Sequence, residues 1–197
     1  FTHSINVNHS NICVLSCKFC AFAKTKKDKE AYSLSVDEIE RRVINAARHG
    51  VWEVHIVGGL DPELKLSYYE EMLRRIKKSC PGVLIQAFTA VELDFYARLE
   101  KIPVEEVIER LIAAGLGGVP GGGAEIFSER ARALICAPKI SARRWLDVAR
   151  GLLAGRLFPR TPNKKDCGYC SFRSVCGDGA YDRAAVVLAD AVPGDTS

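Results

Sequence analysis

Residues 11–22 read NICVLSCKFCAF, with Cys13, Cys17 and Cys20 spaced C-x3-C-x2-C. Three thiols within eight residues suit a single loop wrapped round a metal centre. Thiolates are the usual ligands of iron–sulfur cubes, so these three could hold three irons of a [4Fe–4S] cluster. The fourth iron would then lack a protein ligand and could bind a small molecule. The bland alternative is three unrelated buried or disulfide-bonded cysteines.

Bulk composition sets wider bounds. The 197 residues allow one domain, or one and a small appendage, and a 48% apolar content is enough for a core. A net charge of +4 is mild, so nucleic acid is not an expected partner. The 8 cysteines fall in two tight groups plus Cys80 and Cys136. Such grouping reads as metal binding in a reducing compartment, and the cytoplasm is the expected location. No apolar run of about 18 residues occurs, so no membrane span is predicted. FTHSINVNHS has no basic stretch followed by an apolar one, so no secretory leader is expected there.

From the cysteine loop outward, strands and helices alternate. Residues 4–12 are predicted as a strand entering the loop. Ser35-Val36-Asp37-Glu38 has the capping-box pattern and opens a helix with Ile39 and Val43 on one face, closed by Gly50. Residues 53–57 are a second strand, stopping at Gly58-Gly59. Ser67-Tyr68-Tyr69-Glu70 resembles another capping box, before a helix burying Tyr69, Met72, Leu73 and Ile76. Residues 83–88 are a third strand. Pro103 suits a first helical position, ahead of a helix stacking Val104, Val107, Ile108, Leu111 and Ile112. Residues 116–119 resemble a fourth strand, running into Pro120-Gly121-Gly122-Gly123. This alternation predicts an α/β fold of parallel βα units, about four of them, as in part of a (β/α) barrel.

In such folds ligands lie at the carboxyl ends of the strands. Four patches fall there: the cysteine loop, Gly58-Gly59, Thr89 to Glu92, and Gly121 to Glu125. Gly58-Gly59 could be a plain tight turn, or bare backbone that lets a cofactor approach. Glu92 and Glu125 could be helix-start acids, or groups that bind ribose hydroxyls or substrate. His55, inside a strand, reads as packing; His3 and His49 carry little information. Lys24 to Lys29, KTKKDK, reads as a solvated loop, with a role toward an anionic substrate as the alternative.

NICVLSCKFCAF, VGGLDPEL with SYYEEMLRRIK, IQAFTAVEL, VPGGGAEIF and PKISARRWLDV together resemble aminofutalosine synthase, a radical S-adenosylmethionine enzyme of menaquinone biosynthesis. The resemblance runs from about His3 to Val148 and is most specific in AFTAVE and GGGAEIF. It implies that Cys13, Cys17 and Cys20 hold the cluster and that Gly58 and Gly59 contact the amino-acid end of S-adenosylmethionine. It places Phe19 against the adenine and Glu125 near ribose; Thr89 and Glu92, at a strand end, are expected near substrate. It implies a transferase that adds a 5′-deoxyadenosyl radical to an enolpyruvyl benzoate, with a small-molecule substrate and a reducing partner such as flavodoxin or ferredoxin. Cyclic dehypoxanthine futalosine synthase and the deazaflavin-forming (FO) synthase share the cysteine loop and the glycine turn and rank second. Asp61, where the family is expected to have His, and Gly117-Gly118, where Asp-Ser is expected, depart from the pattern.

The end of the chain reads differently. Residues 1–150 are expected to form the partial barrel, and residues 151–197 a separate cysteine-rich tail. Cys167, Cys170 and Cys176 are spaced C-x2-C-x5-C after a Pro- and Lys-rich stretch, a pattern fit for a second iron–sulfur cluster or zinc. The run resembles the iron–sulfur cysteine motif of RecB-like nucleases, in which a distant cysteine completes the ligands; Cys136 or Cys80 would serve here. The chain thus reads as a composite, a truncated radical-enzyme barrel joined to a cysteine-rich tail. The alternative to an enzyme is a non-catalytic iron–sulfur module with a nuclease-derived tail, motivated by Arg156, Arg160, Lys164, Lys165 and Arg173.

Overall fold

A computed structural model describes residues 3–15 and 17–154; Cys167, Cys170 and Cys176 lie outside the described residues. Strands β1 (Ser4–Val7), β2 (Glu53–Ile56) and β3 (Leu84–Ala87) form one parallel sheet in that order. Val7 pairs with Ile56 and Ile56 with Ala87, so the three carboxyl ends are level and form a rim. Val54, Ile56, Ile85 and Ala87 are fully buried on one face. The alternate residues make a polar row on the other face, where Gln86 Nε2 donates to Glu53 (3.0 Å) and His55 Nδ1 meets Asn6 Oδ1 (3.1 Å). The period-2 pleat separates the two sets. His55 is accordingly a sheet-face residue bonded to its neighbour strand.

Helices α1 (Val36–Arg48), α2 (Leu66–Ser79), α3 (Ala90–Glu100), α4 (Val104–Ala114), α5 (Glu129–Ile135) and α6 (Ala142–Ala154) follow in chain order. Ile39, Val43, Leu73, Ile76, Leu111, Trp145 and Val148 join the strand residues in one apolar core. The predicted cap of α1 is present, Glu38 N–H donating to Ser35 Oγ at 3.2 Å. That of α2 is not. The helix begins at Leu66, and Glu100 from α3 accepts the Leu66 N–H (2.9 Å) in place of a local cap. Glu70, read as the capping acid, instead accepts from Arg110 of α4 (2.7 Å) and Arg74 (3.2 Å). A tertiary ion pair thus engages the carboxylate that the local pattern assigned to the backbone.

Other boundaries shift as well. Residues 8–12 leave the sheet after Val7 and continue as loop, with single bridges at Ser10 and Ile12. Residues 116–119 supply one bridge, Gly118 to Gln86, in place of a full strand. Pro103 is the cap residue of α4 rather than its first turn, and Ile112 faces solvent at 37% exposure. Helix α3, which the sequence reading leaves unassigned, is buried along most of its length. Its Asp94 accepts from Arg98 (2.9 Å) and from Arg144 of α6 (2.6 Å), fastening α6 to the body.

Ile85 and Ile112 make a direct comparison of buried and exposed positions. Ile85→Ala is expected to lower stability by about 2–5 kcal/mol in urea titration, the usual range for removing a buried aliphatic side chain. Ile112→Ala is expected to fall within about 1 kcal/mol of wild type, as a surface position should.

Candidate cluster and cofactor site

The cysteine loop leaves the carboxyl end of β1 and is held by backbone bonds from several sides. Cys13 N–H donates to Lys24 O (3.0 Å), Lys24 N–H to Asn11 O (2.8 Å), Val14 N–H to Leu60 O (3.1 Å) and Lys18 N–H to Ile135 O (2.8 Å). Cys13, Cys17 and Cys20 are free thiols, the first two half-buried and the third exposed. Leu15 N–H points at Cys13 Sγ (3.4 Å). Burial pushes the Cys17 thiol up; Lys139 opposes that shift, while Cys136, Cys13 and Cys20 add to it. Among the described residues no three His, Cys, Asp or Glu side chains are gathered round one ion position.

The Gly58-Gly59 turn follows β2 and lies directly on this loop. Gly59 N–H donates to Ser10 O (2.7 Å), and a Cβ at Gly59 would stand well inside 3.0 Å of Ile12 O. A Cβ at Gly58 would come within 2.5–2.7 Å of the His9 ring. His9 is wholly buried under the turn, beside Tyr69 (ring centroids 5.2 Å), and burial lowers its pKa to about 4, so the imidazole is neutral. Asp61 accepts from Ser33 Oγ (2.6 Å) and from Glu63 N–H (3.0 Å), which fixes the far side of the turn.

Thr89 and Glu92 form a complete capping box at the start of α3. Thr89 N–H donates to Glu92 Oε2 (2.7 Å), and Glu92 N–H donates to Thr89 Oγ1 (3.3 Å). The other carboxylate oxygen of Glu92 accepts Gly58 N–H (3.1 Å), so one side chain joins the glycine turn to the β3 end. Glu92 is buried, and desolvation raises its pKa to about 7 against those hydrogen bonds. Phe88, just before the box, has φ +64°, a left-handed conformation unfavourable for an aromatic residue; its ring packs against Tyr69 and Tyr96. Gly123 rests on Thr89 and Val91, bringing the fourth patch to the same rim.

Glu125 has φ +59° and pairs with Lys139. The Lys139 ammonium also stands 5.4 Å from the Phe19 ring centroid, so Phe19 and Glu125 meet through one lysine. Arg132 of α5 is buried and donates to Ala124 O (2.7 Å), Ile126 O (2.7 Å) and Ile140 O, locking the glycine-rich segment to the turn that carries Lys139. Sequence reading named Phe19 and Glu125 but missed His9, Lys139 and Arg132. PKIS at 138–141 was a usable signal for Lys139; nothing local marks His9. Of the two cysteines considered for the tail, Cys136 lies buried at the end of α5 near Cys17, and Cys80 caps α2.

Two measurements follow from this geometry. Gly59→Ala should push the cysteine loop off the turn, and iron bound per chain after anaerobic reconstitution should fall by half or more. The second concerns Glu92. Its folded-state pKa lies above the unfolded value, so the native state binds the extra proton and loses stability as pH rises from about 4.5 to about 7. The loss amounts to at most about 3 kcal/mol. In urea titrations at pH 5 and pH 8, Glu92→Gln should gain on wild type at the higher pH.

Residues 7–155 match the model of the radical SAM superfamily. Aminodeoxyfutalosine synthase of Thermus thermophilus is 39% identical over 76% of this chain and 40% of its own length. Cyclic dehypoxanthine futalosine synthase of Streptomyces coelicolor is 41% identical over 73% of this chain and 36% of its own. 5-Amino-6-(D-ribitylamino)uracil–L-tyrosine 4-hydroxyphenyl transferase of Methanopyrus kandleri is 36% identical over 76% and 41%. The chain spans about two fifths of the length of these curated relatives. Among solved structures, methylornithine synthase superposes with TM-score 0.62 at 15% identity, over 79% of this chain and 42% of that one, a likeness of fold. With its cysteine loop, glycine turn and parallel sheet meeting at one rim, the chain belongs to the radical SAM superfamily.

Proposed function

We propose that Cys13, Cys17 and Cys20 hold a [4Fe–4S] cluster, and that the chain binds S-adenosylmethionine at the adjoining rim and transfers its 5′-deoxyadenosyl group to an enolpyruvyl benzoate, with methionine leaving the cofactor and the carboxylate carbon leaving the rearranged adduct. This is the aminofutalosine synthase reaction. The observation that carries the reading is the Gly59 backbone seated on Ile12 of the cysteine loop, with no room for a side chain between them. A cofactor bound along that turn adjoins the loop cysteines. AFTAVE and GGGAEIF favour the aminofutalosine reaction over its sister reactions.

Cys13, Cys17 and Cys20 would hold a cluster that, reduced by a flavodoxin- or ferredoxin-like donor, would supply an electron for cleavage of the cofactor. The chain's own residues bind and orient. Gly58 and Gly59 present bare backbone to the amino-acid end of the cofactor. Phe19 offers a ring face for the adenine, and Glu125 an acceptor for ribose hydroxyls. Glu92 holds the turn in place through Gly58 N–H, and Thr89 sets the substrate side of the rim.

No described helix is long and apolar enough to cross a membrane, and we place the reaction in the cytoplasm. A second centre on Cys167, Cys170 and Cys176 would raise the iron count from about four to about eight per chain, by cubane stoichiometry.

The test is anaerobic incubation of the reconstituted, reduced protein with S-adenosylmethionine, with and without the enolpyruvyl benzoate, read by mass spectrometry. Wild type should form 5′-deoxyadenosine, and the adenosyl adduct when substrate is present; Cys17→Ala should form neither. Cleavage unchanged in Cys17→Ala would overturn the cluster assignment. Cleavage without adduct, together with turnover of the cyclic dehypoxanthine futalosine substrate, would select the sister reaction.

A further inference from the structure

Lys139 joins parts of the site that the local patterns do not connect. It lies in the turn between α5 and α6, and its N–H donates to Cys136 O at 2.9 Å. Lys18 of the cysteine loop donates from its N–H to Ile135 O at 2.8 Å, so the loop and this turn are hydrogen-bonded neighbours. The three carbonyl bonds of Arg132, one of them to Ile140, hold the turn rigid. From it the Lys139 side chain, only 12% exposed, reaches the Phe19 ring and pairs with Glu125, itself 30% exposed. Phe19 stands between Lys18 and Cys20, so the ammonium is held against the cysteine loop itself.

Other lysines of the loop are placed differently. Lys18 is exposed to solvent, and Lys24 is paired with Glu30 at 2.6 Å. Solvent and salt screen such charges strongly, whereas a charge held at a packed interface keeps its field. A cluster gains negative charge on reduction, and net charge and exposure around it are among the protein's levers on its potential. A fixed ammonium against the loop that carries the cluster cysteines therefore favours the reduced form, and Glu125 moderates it.

Building on the cluster reading above, we propose that Lys139, partnered by Glu125 and set against Phe19, is a positioning residue that raises the reduction potential of the cluster held by Cys13, Cys17 and Cys20. It ties cluster loop to cofactor rim and sets how readily the centre accepts its electron. Lys139 is not assigned contact with the reacting atoms.

The experiment is a redox titration of the reconstituted protein, followed by electron paramagnetic resonance of the reduced cluster, with iron content measured on each sample. Lys139→Met should assemble the cluster and show a potential lower by about 59 mV, equivalent to a tenfold lower ratio of reduced to oxidised cluster at fixed poise for one electron. Lys139→Arg should stay close to wild type, because it restores the charge. An assembled Lys139→Met cluster with the wild-type potential overturns the inference and leaves the cluster reading intact. Should Lys139→Met fail to assemble, Glu125→Gln carries the test: loss of the counter-charge should raise the potential, and an unmoved value overturns the inference. A wild type that takes up no iron removes the ground for both readings.

Discussion

The constraint on which the site depends is a backbone-to-backbone approach at the strand ends. Gly59, leaving β2, donates to Ser10 O beyond β1, and its missing side chain lets Ile12 O occupy the space a Cβ would fill. Val14 N–H to Leu60 O closes the same contact one step farther along. The parallel register sets this up by ending β1, β2 and β3 level at Val7, Ile56 and Ala87. The two segments that leave β1 and β2 therefore emerge side by side. A larger residue at Gly59 would separate the cysteine loop from the glycine turn, and with it the proposed metal ligands from the proposed cofactor surface.

Glu92 completes the arrangement from the β3 side. A buried carboxylate is costly unless hydrogen-bonded. Glu92 meets that cost with two N–H donors, from Thr89 and Gly58. The bonds do not fully offset desolvation, which leaves its pKa near neutrality. The structure accepts an electrostatic strain to hold the turn. Phe88 and Glu125, both at left-handed φ, add backbone strain at the same rim. Strain of this kind persists where surrounding packing over-determines the conformation, as the Tyr69, Phe88 and Tyr96 rings do here.

Much of this was legible in the residues. The cysteine spacing, the strand–helix alternation and the convergence of four patches on one rim all follow from local pattern and the geometry of parallel sheets. Glu92 shows where such reading stops. Thr89 to Glu92 does contain the capping-box signature, but the bond that matters most, to Gly58, spans 34 positions and has no local sign. Glu70 fails for the same reason, since Arg110 claims it from another helix. Lys139 and Arg132 were missed because their partners are a ring, a carboxylate and main-chain carbonyls brought together only by the fold. Gly117 and Gly118 limit the predicted fourth strand: both donate to Ile85 O, and Gly118 supplies a single bridge.

The central claim is that one loop and one turn, packed against each other, make a cluster with an iron open to the cofactor. Electron paramagnetic resonance of the reduced, reconstituted protein before and after adding S-adenosylmethionine tests it most directly. The account predicts a [4Fe–4S]⁺ signal whose g-values move when the cofactor binds, and a Gly59→Ala protein that does not respond. A reduced-cluster signal indifferent to S-adenosylmethionine in wild type would contradict it.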